Sequence, residues 1–204
     1  MPSKIPTTLT KDLCRVIGII HGDGNMSSSR IHITDKCLEY HTQELQPLFK
    51  KVFNLKLNLF HDVKRNSYYS HIKNKEVYRY LTEELKISKG SVRKNLAIPN
   101  YLKNLTDDLK ASYLTGVFDA ECCVSKRQAE INFSTTSQKL FNFINKFLNK
   151  NQIKNSQQIR DRRKNKEYEI YIYGRENIKN MLKIIKIKHP NKILRLQKMV
   201  SLSH

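Results

Sequence analysis

Two short apolar stretches, one in each half of the 204-residue chain, constrain the fold more than any other feature. Each has small residues four positions apart and ends in an acid: Cys14, Gly18, Gly22 and Asp23 in the first stretch, and Ser112, Gly116, Ala120 and Glu121 in the second. Residues four apart share one face of a helix, and small side chains on that face let two helix backbones approach closely. Large apolar residues flank both faces, as in buried helices. The pattern predicts two central helices that pack through Gly18, Gly22, Gly116 and Ala120.

Both acids fall where their helices are expected to end, and Gly24 is expected to cap the first helix in the left-handed conformation. A helix C-terminus has partial negative charge and unpaired carbonyl groups, so a carboxylate there is unfavourable unless a cation is close. Two such ends side by side would form an all-oxygen site suited to Mg²⁺. A Gly-Asp-Gly sequence alone usually marks a turn, but the matching second helix favours a metal site at Asp23 and Glu121.

The composition indicates a polyanionic partner. The chain has 38 Lys and Arg against 18 Asp and Glu, a net charge of +20, which favours nucleic acid over a merely solvated basic surface. Its four cysteines include no CxxC pair, so no zinc or disulfide framework is predicted, and reduced thiols indicate an intracellular protein. No apolar run has the length of a membrane span or the pattern of a signal peptide.

The two halves repeat one order of elements. Glu121 follows Asp23 after 98 positions, and Ile172 follows Ile72 after 100. This offset predicts a duplicated α-β-β-α-β-β-α unit whose halves pack about a pseudo-two-fold axis. The expected fold class is α+β, with two antiparallel sheets that form a DNA-binding saddle around the two central helices. The expected division is an N-terminal half over residues 1–90, a linker over 91–108 and a C-terminal half over 109–204.

Alternating strands in both halves predict a polar sheet face that could bind DNA. Strands placed in the major groove contact base edges through Arg, Lys, Asn and Gln, and hairpin tips reach phosphates. The candidate contacts on the sheet faces are Arg30, His32, Lys56, Asn58, Gln157, Arg160, Arg162, Glu169 and Tyr171. The candidates at the hairpin tips are Lys64, Arg65, Lys164 and Lys166. The alternative is that these residues are ordinary solvated side chains.

Together these residues resemble the paired motifs of a single-chain LAGLIDADG homing endonuclease. In the second stretch the motif letters fall on Leu114, Gly116, Asp119, Ala120 and Glu121, with Glu in place of the final Asp. In the first stretch they fall on Gly18, Asp23 and Gly24, whereas His21 and Gly22 replace Asp and Ala. The resemblance extends over nearly the whole chain, from about residue 13 to about residue 198.

The resemblance implies a monomer that cuts both strands of a long pseudo-palindromic DNA target across the minor groove, leaving staggered ends, without a protein partner or a membrane. Asp23 and Glu121 would each serve one strand with Mg²⁺ or Mn²⁺, and Ca²⁺ would bind without cleavage. The carbonyl groups of Gly22 and Ala120 would add metal ligands. Lys36 would organise the nucleophilic water in the first half.

The place that matches Lys36 in the second half lies near Thr136 and has no basic residue, so Lys126 or Lys139 would have to substitute. Two other functions fit the same fold: an RNA-binding intron maturase and a DNA-binding regulator without nuclease activity. The presence of both acids favours cleavage. For the location of the protein, an organelle and a prokaryotic cytoplasm are equally compatible with these functions.

Overall fold

The computed structural model describes residues 2–91, 98–162 and 165–201. The N-terminal half contains α1 (Lys11–Asp23), β1 (Gly24–Ser27), β2 (Arg30–Asp35), a π-helical turn (Tyr40–Leu45), α2 (Gln46–Phe53), β3 (Asn58–Asp62), β4 (Ser67–Lys73), α3 (Lys75–Arg79) and a second π-helical turn (Tyr80–Glu84). The connection contains β5 (Gly90–Ser91) and α4 (Asn100–Lys103). The C-terminal half contains α5 (Asp107–Glu121), β6 (Cys122–Val124), β7 (Glu130–Thr135), α6 (Gln138–Lys150), β8 (Ser156–Arg162), β9 (Asn165–Tyr173), α7 (Arg175–Ile184) and α8 (Pro190–Ser201).

Each half contains one antiparallel sheet, and the expected duplicated α+β fold is confirmed. The strand order is β3-β4-β2-β1-β5 in the N-terminal sheet and β6-β7-β9-β8 in the C-terminal sheet. The first two strands of each half pair in the same way, since Gly24 lies opposite Ile33 and Cys122 lies opposite Phe133. The short β5 adds a fifth strand to the N-terminal sheet alone, in the part of the chain that the structure describes.

Side-chain caps fix where the main helices begin. Thr10 accepts a hydrogen bond at 3.2 Å from the backbone N–H of Leu13, and Asp12 lies in the first turn of α1. Ser137 caps α6 in the same way through the N–H of Leu140. These oxygens satisfy backbone donors that a helix start leaves unpaired, and an acid in the first turn complements the helix dipole. The starts of α1 and α6 are therefore set by the residue immediately before each helix.

The left-handed cap expected at Gly24 is wrong. Gly24 has an extended backbone (φ −79°, ψ 145°), as does the matching Cys122 (φ −76°, ψ 148°), because each helix passes directly into a strand. Glycine is needed at position 24 for space: an ideal Cβ there would lie 2.4 Å from the carbonyl oxygen of Ile20. The chain thus turns from helix to sheet at the residue after each acid.

The core surrounds α1 and α5. Alternate residues of β2 and β7, namely Ile31, Ile33, Ile131 and Phe133, are buried beneath the sheets. The segment between the halves also packs into the core, since Ile98 is 5% exposed and Leu102 is fully buried. Among the described residues no helix is both long and apolar enough to cross a membrane.

Candidate functional site

The two central helices cross backbone to backbone at their glycines. An ideal Cβ on Gly18 would lie 2.1 Å from the carbonyl oxygen of Tyr113 and 2.9 Å from the backbone nitrogen of Val117. An ideal Cβ on Gly116 would lie 2.1 Å from the carbonyl oxygen of Arg15. Real Cβ atoms do not come this close to backbone atoms, so any side chain at these positions would push the helices apart.

The C-terminal ends of α1 and α5 are adjacent. An ideal Cβ on Gly22 would lie 2.3 Å from the Cβ of Ala120 and 3.1 Å from the Cγ of Glu121. Asp23 and Glu121 are the last residues of these helices, and both are partly exposed. The helix pair therefore brings the two predicted acids to the same end of the molecule's central axis. Partly exposed carboxylates beside peptide carbonyl groups are a donor set that fits a hard divalent cation such as Mg²⁺ or Mn²⁺.

A lysine that the sequence reasoning missed lies at this end of α5. The Nζ of Lys192, in α8, donates to the carbonyl oxygens of Phe118 at 3.0 Å, Asp119 at 2.5 Å and Ala120 at 3.2 Å. A cation here complements the negative end of the helix. The carbonyl group of Ala120 is thus already bound by a cation, and its role as a metal ligand stays a prediction.

The position two residues before each acid differs between the halves, and both versions are buried. Asp119 accepts hydrogen bonds from Arg15 at 2.8 and 3.1 Å and from the backbone N–H groups of Lys188 at 2.6 Å and His189 at 3.0 Å. His21, in the matching position of α1, places Nδ1 2.9 Å from the hydroxyl of Tyr113. Burial lowers the pKa of His21 to about 3, so its imidazole is neutral at neutral pH. These two residues join elements together rather than facing solvent beside the acids.

The basic residues proposed to assist the acids lie in different places. Lys36 is exposed and follows the last residue of β2, and Thr136 is exposed at the matching place after β7. Lys126 lies in the turn between β6 and β7. Lys139 is an exposed residue in the first turn of α6, two positions after Ser137, and its role as a substitute stays a prediction.

The exposed face of the N-terminal sheet combines predicted polar residues with an aromatic cluster. Arg30, His32 and Asn58 lie on this face, since His32 and Asn58 both pair with His71 of β4. Four rings form the cluster: His32, Phe60, Tyr69 and His71, with Phe60 stacked on both Tyr69 and His71 at centroid distances of 5.2 Å. Burial lowers the pKa of His32 and of His71, which favours neutral rings. The period-two pattern of Tyr69 and His71 in the sequence is the signal that could have added them.

Two N-terminal candidates lie outside the strands. Lys56 is exposed in the loop before β3, so its expected position within a strand is wrong: the strand begins at Asn58. Lys64 and Arg65 are exposed in the turn between β3 and β4, as expected for a hairpin tip. The carboxylate of Asp62 accepts a hydrogen bond from the backbone N–H of Arg65 and orders that turn.

The exposed face of the C-terminal sheet carries a linked charged group. The Nε of Arg160 lies 2.8 Å from an oxygen of Glu169, which also accepts a hydrogen bond at 2.7 Å from the hydroxyl of Tyr171. Glu169 is only 5% exposed, so Arg160 and Tyr171 cover it and are held by it. Arg162 is the last residue of β8 and pairs with Asn165, and its predicted contact with DNA stays a prediction.

The assignment of Gln157 to this face is wrong. Gln157 pairs with the buried Ile170 and donates to Asn145 of α6 at 2.9 Å, so it lies on the helix side of the sheet. Side chains alternate along a strand, so residues 157 and 160 cannot share a face. Gln158, opposite Glu169, takes the place expected for Gln157. Lys166 pairs with Asp161 on the helix side as well, and Lys164 lies outside the described residues.

Two helices that cross at glycines and end in adjacent acids, each leading into an antiparallel sheet, define the two-motif LAGLIDADG class of fold. Residues 108–186 match the LAGLIDADG-like domain family, and the chain has the LAGLIDADG homing endonuclease fold. The homing endonuclease I-DmoI, in its complex with DNA and Mn, is similar with a TM-score of 0.64 and 17% identity over 89% of this chain and 99% of that chain.

Two further comparisons limit what the fold assigns. Full-length DUF199/WhiA from Thermatoga maritima has a TM-score of 0.63 and 14% identity, covering 97% of this chain and 62% of that one. The glutamine–fructose-6-phosphate aminotransferase of Methanocaldococcus jannaschii is 35% identical over 144 residues, which are 67% of this chain. This chain spans only 12% of the length of that curated relative. The similarity is to a segment of the aminotransferase, so it gives no basis for assigning that protein's activity.

Proposed function

We propose that this protein is a site-specific double-strand DNA endonuclease that requires a divalent metal ion. The observation that carries the proposal is the adjacency of the C-terminal ends of α1 and α5, whose last residues are Asp23 and Glu121. This pair lies between two sheets with polar exposed faces in a chain of net charge +20. One chain supplies both acids, so a monomer suffices for cutting two strands.

Different residues of the chain have different roles in the proposed reaction. Asp23 and Glu121 would hold the metal, each on the side of one DNA strand. When bound, divalent ions supply a more acidic water, a polarised phosphate and stabilisation of the leaving oxygen. Lys192 keeps a positive charge at the end of α5, beside the peptide group that precedes Glu121. The exposed faces of the two sheets bind and read the duplex, and the lysines and arginines of the hairpin tips bind its phosphates.

The donor set and the similar structures support a divalent cation as the cofactor. I-DmoI is described in complexes with DNA and Mn, with DNA and Ca, and with target DNA in the presence of Mg. Carboxylate and carbonyl oxygens suit all three ions. We therefore propose Mg²⁺ or Mn²⁺ as the working ion here, with Ca²⁺ supporting binding only.

Cleavage must be separated from binding alone, because the basic sheets suit a regulator or an RNA-binding maturase equally. WhiA also has an N-terminal LAGLIDADG domain, so the fold is not confined to homing endonucleases and does not decide between these functions. The acids support cleavage, because a protein that only binds nucleic acid has no need of carboxylates at the C-terminal ends of two helices, where they repel the helix dipoles.

The test begins with selection of cut molecules from a randomised double-stranded DNA library with Mg²⁺ or Mn²⁺. On the selected site, Asp23→Asn and Glu121→Gln should abolish double-strand cleavage while binding in Ca²⁺ is retained. Asp108→Asn is the matched control, because Asp108 is an exposed acid at the opposite end of α5. Cleavage of both strands by either acid variant at the wild-type rate contradicts the assignment. Specific binding with no cutting by the wild-type protein in either metal would identify a binding protein instead.

A further inference from the structure

A second group of metal-binding side chains lies where the two halves meet, and it contains neither Asp23 nor Glu121. Asp35 and Cys37 come from the end of β2 and the residues after it, whereas His189 immediately precedes α8. The Nε2 of His189 lies 3.3 Å from the Oδ1 of Asp35. One ligand atom of each of the three residues lies within 4.8 Å of the other two. Cys37 is 3% exposed and His189 4% exposed, so the group is shielded from solvent.

We propose that Asp35, Cys37 and His189 bind a transition-metal ion, and that Zn²⁺ is the ion their chemistry fits best. A thiolate, an imidazole and a carboxylate are the ligand types that proteins use for zinc, whereas Mg²⁺ takes oxygen ligands only. The two proposed metal sites therefore select different ions: the acids at the helix ends select a hard cation, and this group selects a softer one.

The distances suit a tetrahedral site. Zinc bonds of about 2.0–2.3 Å place tetrahedral ligand atoms roughly 3.3–3.8 Å apart. The Asp35–His189 distance of 3.3 Å already has this value, and the limit of 4.8 Å on the other pairs requires them to close by no more than about 1.5 Å. These three residues leave the fourth position of a tetrahedral site to a water molecule or another ligand.

Contacts that do not involve a metal hold both segments in place. The carboxylate of Asp35 accepts a hydrogen bond at 2.6 Å from the backbone N–H of Cys37, which fixes the turn after β2. The backbone N–H of His189 is bound to Asp119 of α5, and its ring stacks on Tyr40 at a centroid distance of 4.5 Å. A site whose ligands are already held by neighbouring contacts binds its ion with little rearrangement.

Metal binding would replace two existing interactions. The thiol of Cys37 donates to Glu39, and His189 pairs with Asp35. An incoming ion releases the thiol proton to solvent and takes the thiolate, the imidazole and the carboxylate as ligands. The ion would then link β2 of the N-terminal half to the start of α8. The competing explanation is that no metal binds, and that the hydrogen-bonded pair of His189 and Asp35 alone links β2 to the start of α8.

The experiment is a Co²⁺ titration of the full-length chain after dialysis against a chelator. The expected result is a thiolate-to-cobalt charge-transfer absorption that saturates at one equivalent and disappears when Zn²⁺ is added. Cys37→Ser and His189→Gln should abolish the absorption, and circular dichroism checks that each variant is folded. Cys123→Ser is the matched control, because Cys123 is an exposed cysteine in β6. Asp23→Asn should also keep the absorption, which separates this site from the proposed catalytic one.

A measurement on the wild-type protein tests the proposal without any variant. X-ray absorption at the zinc edge should show one sulfur ligand and three nitrogen or oxygen ligands. A folded wild-type chain that gives no charge-transfer absorption in several-fold excess of Co²⁺ would overturn the proposal, as would a zinc shell without sulfur. Absorption that survives in Cys37→Ser, or is lost in Cys123→Ser, would assign the ion to a different cysteine.

Discussion

His21 and Asp119 occupy matching positions in the two central helices, and their surroundings explain why they differ. Asp119 is fully buried, and its charge is met by Arg15 and by two backbone N–H groups. A buried carboxylate needs partners of this kind. His21 instead contacts the neutral hydroxyl of Tyr113, which suits a neutral imidazole. The two halves have thus diverged according to the partner that each position meets.

The first prediction concerns the dependence of stability on pH. The pKa of His21 is about 3 in the folded protein and about 6.5 in an unfolded chain. Only the unfolded state binds this proton between those values, so the stabilisation is present above pH 6.5 and is lost as the pH falls towards 3. From pH 7 to pH 5 the loss is ~2 kcal/mol. Urea unfolding of the wild type and of His21→Asn should show a smaller loss in the variant; equal losses would mean that His21 does not contribute.

The second prediction concerns the two lysines assigned to different half-sites. Lys192→Met removes the cation from three carbonyl groups of α5, which should lower the free energy of unfolding by about 1–2 kcal/mol.

Lys192→Met should also slow cutting of the strand served by Glu121, whereas Lys36→Met should slow cutting of the other strand. A time course on supercoiled plasmid with strand-specific labels would measure this. Each of the two variants should accumulate nicked circles, and the strand left uncut should differ between them. Lys183→Met, on the surface of α7, is the control. Equal slowing of both strands by each variant would refute the half-site roles.

At the scale of elements, the close packing of α1 against α5 depends on glycines, which have no side chain. Gly18 and Gly116 face backbone atoms of the partner helix, whereas Gly22 faces the methyl group of Ala120. The backbone contacts at the crossing therefore leave no room for a side chain. Near the acids, by contrast, a single methyl group lies between the helices, and it could in principle come from either helix. This difference permits a test by exchange.

The third prediction is that Gly22→Ala destabilises the chain and that adding Ala120→Gly restores it. The single change brings two methyl carbons to about 2.3 Å, and such overpacking costs about 1–3 kcal/mol. The exchange leaves one methyl group at the contact, as in the wild type. Gly18→Ala should also destabilise, although alanine in an open helix would stabilise by about 0.5–1 kcal/mol. Thermal and urea unfolding measure all of these variants. If the double variant is no more stable than Gly22→Ala, the packing account is wrong.

Features set by local spacing were predictable from the sequence, and features set by distant partners were not. The small residues at every fourth position identified the helix pair, and the repeat identified the order of helices and strands along each half. The face of Gln157 was not predictable, because it depends on where β8 begins and on its register with β9. Lys192 reaches α5 from 72 positions beyond Ala120, and His189 joins Asp35 from the other half of the chain. No spacing rule covers such contacts.

At the scale of the whole molecule, the exposed faces of the two sheets are chemically different. The N-terminal sheet presents the four-ring aromatic cluster beside Arg30 and Asn58, whereas the C-terminal sheet presents the group formed by Arg160, Glu169 and Tyr171. Rings provide apolar contact, for example with thymine methyl groups, and arginine bonds to guanine. The two half-sites of the target should therefore differ in sequence, although the fold is nearly symmetric.

The fourth prediction is a strong dependence of DNA binding on salt. A chain of net charge +20 that neutralises at least six phosphates should lose affinity on the order of 10³ between 50 and 200 mM salt. Fluorescence anisotropy with the selected target in Ca²⁺ would measure the dissociation constant across that range. A random duplex of the same length should show a similar slope at weaker affinity. A flat response would rule out phosphate neutralisation as the main source of affinity.

The backbone crossing at Gly18 and Gly116 also bears on how such a protein could evolve. No side chain intervenes at the crossing, so no substitution there could adjust the separation of the helices in small steps. The spacing of the two cuts would then be inherited unchanged from one descendant to the next. The exposed residues of the two sheets have no such constraint. A lineage with this architecture would change the DNA it recognises while preserving the shape of the break that it leaves.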